Sequence, residues 1–501
     1  MDEDRGRCPF KFDGCGDLSR LRRALEDNGY TQSSLAKTTE IDDSNRPMDP
    51  LAVLRRTAGG APYDALVRLF ALAQTVPEAA ARAALAPVEL EQVLALGLLR
   101  RCEGGVRAEA ALFPLEDLLL VRDFWQELTG QPHPRDFVMG VGPVSALLGW
   151  LTVRREVECA LDLGTGSGIQ ALWAARHAER VIGTDTNARA LSFAELNARL
   201  NGVSNIEFRR GSLYEPVAGD QFGLIVANPP FVISPRQEFE YRDSGMEGDA
   251  ISEQVLRGAP ARLRDGGFCS VLTSWHHRSL DDWAERPSQW VAGSGCDAWI
   301  VCWDTTDRVG YASSWLRELE AADPARHEAL LDEWLAYYER LGIGLISTGA
   351  VVLRRRPAGR NWVRANCLSG ERPAGSCSGQ IQRIFAAEDL LAGLGDADDL
   401  LDMALVLTAD HQLEQVLHAK DGHWVVESAR LKQTRGFAFV GQVDKLVSTV
   451  LAGCDGTHTL RELATHIAAG LGADLQKVAP ACVGVARSLL QAGFLSVVGQ
   501  S

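Results

Sequence analysis

The spacing of apolar residues changes character three times along the chain. From Pro62 onward, Leu66, Leu69, Phe70 and Ala73 recur at helical intervals, and further helical windows cover residues 77–84 and 88–99. Glu103-Gly104-Gly105-Val106 then predicts a tight hairpin. Three short helices and a hairpin make a winged-helix-like pattern, used for protein contact as often as for DNA. The polar run Asp42-Asp43-Ser44-Asn45-Arg46-Pro47 ahead of it reads as an irregular connector.

Between about residues 131 and 357 short apolar runs alternate with amphipathic stretches, the pattern of a parallel sheet with crossover helices. Strands are expected at Cys159–Leu163, Arg180–Thr184, Ile206–Arg210, Phe222–Ala227, Phe268–Thr273 and Ala298–Cys302. A long helix, Arg326–Leu341, and a last strand, Gly349–Arg354, complete the set. The expectation is an α/β fold: a seven-stranded, doubly wound, Rossmann-like sheet flanked by small helical or winged-helix-like domains. Ligands of such sheets sit beyond the carboxyl ends of the strands.

Pro357 to Gly379 is rich in Gly, Pro, Ser and Arg and reads as a linker. Helical spacing returns at Val443–Leu451, Leu460–Ala469 and Val478–Ala492, implying a second small domain. The division expected is therefore 1–130, 131–357 and 358–501.

Composition narrows the function more than the fold. A net charge of -15 over 501 residues gives no global attraction to a polyanion, so nucleic acid is not the favoured partner. Arg354-Arg355-Arg356 is one local basic cluster, of the kind that more often marks a solvated strand end. The longest apolar tract, Phe137 to Val153, is broken by Gly140, Gly142, Pro143 and Gly149, which suits a loop entering a helix rather than a membrane span. A cytoplasmic enzyme is expected. The eleven cysteines include no C-x-x-C pair, and His276 and His277 are adjacent, so no metal site is expected.

The chemistry is carried by two motifs. Asp162-Leu163-Gly164-Thr165-Gly166-Ser167-Gly168 follows the first strand and opens a helix; its glycines let the backbone approach a ligand and present amide donors. Asp185 ends the second strand, 23 residues after Asp162, where a carboxylate accepts from both ribose hydroxyls of a nucleoside; the structural alternative is a helix N-cap. After the fourth strand comes Asn228-Pro229-Pro230-Phe231. The Asn228 and Pro229 carbonyls can accept both hydrogens of an NH2 group, an aromatic ring can stack on a planar acceptor, and two prolines hold those carbonyls in place.

The glycine turn resembles the S-adenosylmethionine-binding motif of class I methyltransferases. The N-P-P-F tetrad resembles the catalytic loop of amino methyltransferases, among them HemK-type release-factor glutamine methyltransferases, adenine-specific DNA methyltransferases and ribosomal guanine methyltransferases. Asn187-Ala188-Arg189-Ala190-Leu191 and Asn197-Ala198-Arg199-Leu200-Asn201-Gly202 are close to the second-helix pattern of the HemK type. The resemblance covers about residues 137–355, and the whole chain looks like larger HemK-like proteins with an extra domain at each end.

The resemblance implies S-adenosylmethionine as cofactor, S-adenosylhomocysteine as product, and Asn228, Pro229 and Phe231 as catalytic residues. It implies cofactor contacts from Asp162, Gly164, Thr165, Gly166, Gly168, Asp185, Thr186 and Asn228. Where related enzymes carry an acid opposite adenine, this chain has Ser212 and Leu213, a weaker partner for the amine. Gly142 and Ser145 precede the first strand, where related enzymes fold over the methionine end of the cofactor; a structural turn is the alternative. Pro230, Tyr241, Arg242 and Asp243 are candidates for orienting the acceptor, against a solvated loop. The function expected is methylation of a planar amide or exocyclic amine on a protein, a small molecule or a nucleobase. The competing readings are transfer to an oxygen or carbon nucleophile and a noncatalytic, cofactor-sensing regulator that binds nucleic acid.

Overall fold

A computed structural model describes residues 9–13, 17–40, 48–357, 360–368, 373–396 and 398–498. The connector 42–47 and parts of the 357–379 linker lie outside the described residues. Two compact units divide the chain: Met1–Leu148 with Arg155–Cys367, and Gly149–Arg154 with Leu368–Ser501.

The first unit is built on a mixed sheet of eight strands: β1 (Val157–Leu163), β2 (Ala178–Asp185), β3 (Ile206–Arg210), β4 (Phe222–Ala227), β5 (Leu263–His277), β6 (Cys296–Asp307), β7 (Leu345–Arg355) and β8 (Val363–Cys367). Their spatial order is β8-β6-β7-β5-β4-β1-β2-β3. β1 to β5 run parallel, β7 lies antiparallel between β5 and β6, and β8 is parallel to β6. The helices are α1 (Pro143–Leu151), α2 (Ile169–Ala174), α3 (Ala188–Leu200), α4 (Ala250–Gly258), α5 (Glu285–Val291), α6 (Arg308–Ala322) and α7 (Pro324–Leu341). The inner strands are covered on both faces, so β1 and β4 read as nearly continuous apolar runs.

Seven strands were expected and eight are present. The extra one, β8, lies inside the stretch expected to be a linker; it pairs with β6 alone, and as an edge strand it carries no apolar run. In the basic cluster at the end of β7, Arg354 and Arg356 both bond the buried carboxylate of Asp297, which offsets part of its charge.

The N-terminal residues contain the expected helices at Pro62–Leu66, Glu78–Leu85 and Leu90–Leu96 and the hairpin Leu99–Cys102/Gly105–Ala108. The last helix stops short of residue 99 because Gly97 closes it in the left-handed conformation (φ +87°). A second hairpin, Ala111–Leu115/Leu118–Arg122, was not expected. It attaches these residues to α3: Asn197 accepts from the Val121 N–H at 2.7 Å and donates to the Val121 carbonyl at 3.0 Å, and Asn201 does the same at Leu119 (2.9 and 2.7 Å). Two side-chain amides thus complete the hydrogen bonding of a strand edge. Phe193, Leu196 and Leu200 of α3 share one apolar cluster with Leu25, Phe70 and Leu112.

In the second unit the expected helices appear as Lys445–Gly453, Leu460–Leu471 and Leu475–Gln491, capped by Asp444, Thr459 and Asp474, with a further helix at Ser378–Gly393. Two three-stranded sheets accompany them, one containing a long hairpin, His411–Lys420/His423–Gln433. The signal for that hairpin was Asp421-Gly422, both at positive φ. Among the described residues no helix is long and apolar enough to cross a membrane.

Candidate active site

β1 has β2 on one side and β4 on the other, so the strand order reverses at the carboxyl end of β1 and opens a crevice there. The glycine turn lines it. The Gly164 and Thr165 N–H groups donate to the Thr184 carbonyl at 2.9 and 2.8 Å, which anchors the turn to β2. Gly164, Gly166 and Gly168 take φ of +74°, +55° and +87°. At Gly168 a Cβ would stand 3.0 Å from the Ala194 Cβ, so glycine is needed for α3 to pack closely; at Gly166 a Cβ would meet nothing within 4 Å, leaving that backbone open to a ligand.

Asp162 and Thr165, both expected to touch the cofactor, are buried and bonded to each other. The Asp162 Oδ2 accepts from the Thr165 hydroxyl at 2.6 Å and from the Ala171 N–H at 2.9 Å. Burial pushes the Asp162 carboxyl up to about 7. Folding therefore takes up a proton at this group. The stability it contributes is complete below about pH 4 and is lost as pH rises through about 7. Asp162→Asn keeps an acceptor but removes the titration. Urea unfolding should show the variant gaining on wild type between about pH 5 and pH 8; parallel curves would reject the assignment.

Asp185 ends β2 and is half-buried. Its Oδ2 accepts from the Gly166 N–H and its Oδ1 from the Asn187 N–H, each at 2.9 Å. Each oxygen keeps further acceptor capacity for hydroxyl groups. The N-cap alternative is excluded by geometry, since the side chain capping α3 is Asn187, accepting from Arg189 and Ala190. Burial, with the charge of Glu240 adding to it, holds the Asp185 carboxyl above the ordinary carboxylate range. Thr186 next to it is exposed.

Ser212 and Leu213 follow β3 at the same end of the sheet; Leu213 is held at φ +48°, a strained value for a non-glycine residue. The Ser212 hydroxyl makes no hydrogen bond among the described residues. Gly142 begins the turn into α1 with open space around its Cβ position, and the Ser145 carbonyl accepts from the buried Gln170 of α2 at 2.7 Å. Gln170, which no motif marked, ties α1 to the glycine turn.

Asn228 follows β4 directly, and its carbonyl oxygen stands 4.0 Å from the Cβ position of Gly164, so the two motifs meet. Its side-chain amide makes no hydrogen bond to protein among the described residues. Pro229 is buried and Pro230 half-buried, and Phe231 is held by an antiparallel bridge to Asp243. Just downstream, Tyr338 donates to the Ile233 carbonyl at 2.7 Å, while the Ile233 N–H donates to Tyr311 at 3.3 Å. Burial raises both phenols, which stay protonated. This clamp from α6 and α7 was invisible in the sequence. Tyr338→Phe leaves the Ile233 carbonyl unpaired, at about 1–3 kcal/mol of stability. Turnover should fall with S-adenosylhomocysteine affinity unchanged; calorimetry beside a methyl-transfer assay reads both, and unchanged turnover would remove the clamp from the site.

The loop after the tetrad holds three of the residues expected as candidates for orienting the acceptor, Tyr241, Arg242 and Asp243. The Asp243 carboxylate is buried and accepts from Ser234, from the Glu238 and Phe239 N–H groups, and twice from Arg242, at 2.8 to 3.1 Å. Arg242 is spent on that pairing and lies over the Phe239 ring. Tyr241 stacks on Phe239 at 5.6 Å and lies 5.9 Å from Phe137, which stacks on His133 at 4.2 Å. These residues shape the loop.

Comparison with known proteins agrees with this geometry. The family profile of the methyltransferase small domain matches residues 143–279, and two domains of unknown function match outside it, DUF7059 at 46–109 and DUF7782 at 382–497. A release factor glutamine methyltransferase of Yersinia pestis is 32% identical over 196 residues, which cover 33% of this chain and 68% of that protein. The chain belongs to the HemK-like group of S-adenosylmethionine-dependent methyltransferases. A release factor glutamine methyltransferase of Xylella fastidiosa is 37% identical over 160 residues, 30% of this HemK-like chain and 57% of that protein. A ribosomal protein uL3 glutamine methyltransferase of Bradyrhizobium diazoefficiens is 31% identical over 149 residues, 27% of this chain and 47% of that protein. The chain thus spans about half the length of several relatives it matches.

Proposed function

We propose that this chain transfers a methyl group to the side-chain amide nitrogen of a glutamine in a protein. The observation that carries the reading is Asn228, whose side-chain amide makes no hydrogen bond to protein among the described residues and whose backbone carbonyl lies beside the glycine turn. The Gly164–Gly168 turn and Asp185 would hold the cofactor, with Gly142, Ser145, Ser212 and Leu213 at its edges; the open backbone at Gly166 and the spare acceptor capacity of Asp185 fit a nucleoside. S-adenosylmethionine supplies, when bound, a methyl group on a positively charged sulfur.

The protein's own part is orientation and charge. A primary amide nitrogen is a poor nucleophile because its lone pair is delocalised into the carbonyl. Accepting both N–H hydrogens on the Asn228 side-chain oxygen and the Pro229 carbonyl fixes the nitrogen and stabilises positive charge growing on it. Phe231 offers a face for the planar amide. A protein acceptor is favoured over a nucleobase because the chain carries a net charge of -15 and, at the hairpin Leu99–Cys102/Gly105–Ala108, Arg82, Arg100 and Arg101 are paired with Glu91, Glu109 and Glu78. The parts outside the methyltransferase sheet, residues 1–130 and 368–501, take the recognition of the acceptor protein in this reading.

The test is to incubate the full chain with methyl-labelled cofactor and a fractionated lysate. Label should enter protein and resolve by mass spectrometry to a methylated glutamine. Label confined to RNA, DNA or small molecules, or found on an oxygen or carbon, would overturn the reading.

A further inference from the structure

Cys302 lies in β6 and Cys367 is the last residue of β8, 65 positions apart in sequence yet directly paired in the parallel register of the two strands. Paired residues on neighbouring strands project to the same face, and strands lie about 4.8 Å apart, inside the range of Cα separations that a disulfide spans. The Cys302 sulfur lies close enough to help raise the Cys367 thiol above its ordinary value. Cys302 is buried, with its sulfur also 3.4 Å from the Thr305 hydroxyl, while Cys367 is exposed. β6 is bulged against β7 between Cys302 and Asp304, which loosens the ladder beside the first sulfur. The second strand is an edge strand paired only to β6, free to adjust.

We propose that Cys302 and Cys367 form a thiol-disulfide site, oxidised by small-molecule disulfides such as glutathione disulfide. The exposed Cys367 thiolate attacks one sulfur of glutathione disulfide, forming a mixed disulfide and releasing one glutathione thiolate. The Cys302 sulfur then attacks the Cys367 sulfur and expels the second. Two protein thiols lose two protons and two electrons, and one glutathione disulfide becomes two molecules of glutathione. The link fastens β8, the last strand before the chain enters the second unit, and draws the Cys302 sulfur from Thr305. Thr305 in turn bonds Ser347, and Ser347 bonds His277 at the carboxyl end of β5.

The full chain is treated with glutathione disulfide in mildly alkaline buffer, because partial desolvation together with the neighbouring Cys302 sulfur raises the Cys367 thiol above its ordinary value. The product is alkylated and peptide-mapped without reduction. The expected result is a peptide pair joined through Cys302 and Cys367, an intact-mass loss of about 2 Da for that pair, and reversal by dithiothreitol. Cys367→Ser and Cys302→Ser should each abolish the joined pair, and Cys302→Ser should leave a stable glutathione adduct on Cys367. If wild type instead ends with that adduct, or if Cys367 joins a different cysteine, the proposal is overturned.

Discussion

Asn228→Ala is expected to lower the methyl-transfer rate by about 100-fold or more, the scale on which removing one preorganised group facing a developing charge acts. Cofactor affinity should hardly move, because in the proposed site Asp185 and the glycine turn, on the ends of β2 and β1, hold the nucleoside while Asn228 stands after β4. The substitution removes no hydrogen bond within the described protein, so a fall in rate cannot be attributed to unfolding of a bonded network. Asn228→Asp is the sharper probe: it keeps an acceptor of the same shape but adds a charge that must be desolvated beside the acceptor amide. Phe231→Ala should raise the apparent Michaelis constant for the acceptor, while Phe231→Tyr should be tolerated. Methyl transfer measured beside calorimetry with S-adenosylhomocysteine separates these effects. Full turnover in Asn228→Ala would leave the amide-nitrogen assignment without its central residue, and transfer to another nucleophile would take its place.

Asp185→Ala is expected to weaken S-adenosylhomocysteine binding by about 1–3 kcal/mol, the value of hydrogen bonds to one charged group, or roughly 5- to 150-fold in Kd. The substitution also frees the Gly166 and Asn187 N–H groups, so part of the loss reaches the ligand through a loosened turn. Asp185→Asn distinguishes the two: it restores an acceptor while losing the charge. Because burial holds the carboxyl above its ordinary range, wild-type affinity should decline on mild acidification as the carboxylate is protonated, and Asp185→Asn should lose that dependence. Calorimetry across pH reads both, and equal affinity in wild type and Asp185→Ala would remove this residue from the site.

The sheet was legible because its inner strands are buried on both faces, a demand that writes apolar runs such as Phe222–Ala227 directly into the chain. β8 carries no such run, since an edge strand in partial contact with solvent is under no such demand, and the same holds for the hairpin of the second unit, whose residues are mostly exposed. The glycine turn and the tetrad were legible for a related reason: positive φ and fixed carbonyl directions restrict the residue types allowed locally.

By itself, then, the sequence determined the sheet core, the glycine turn and the placement of Asn228 after the fourth strand, because each is imposed by neighbours in the chain or by burial alone. Only the tertiary structure decided which polar groups remain open. Asp162, Arg242 and Asp243 have the same side-chain chemistry as groups that bind ligands, yet their hydrogen bonds are taken by partners inside their own turn or loop. Asp185 and Asn187 are two residues apart, and only the folded backbone assigns the helix cap to Asn187 and leaves Asp185 at the crevice. Tyr311 and Tyr338 reach Ile233 from 78 and 105 residues away. A hydrogen bond of that kind depends on three-dimensional approach, which local spacing does not encode.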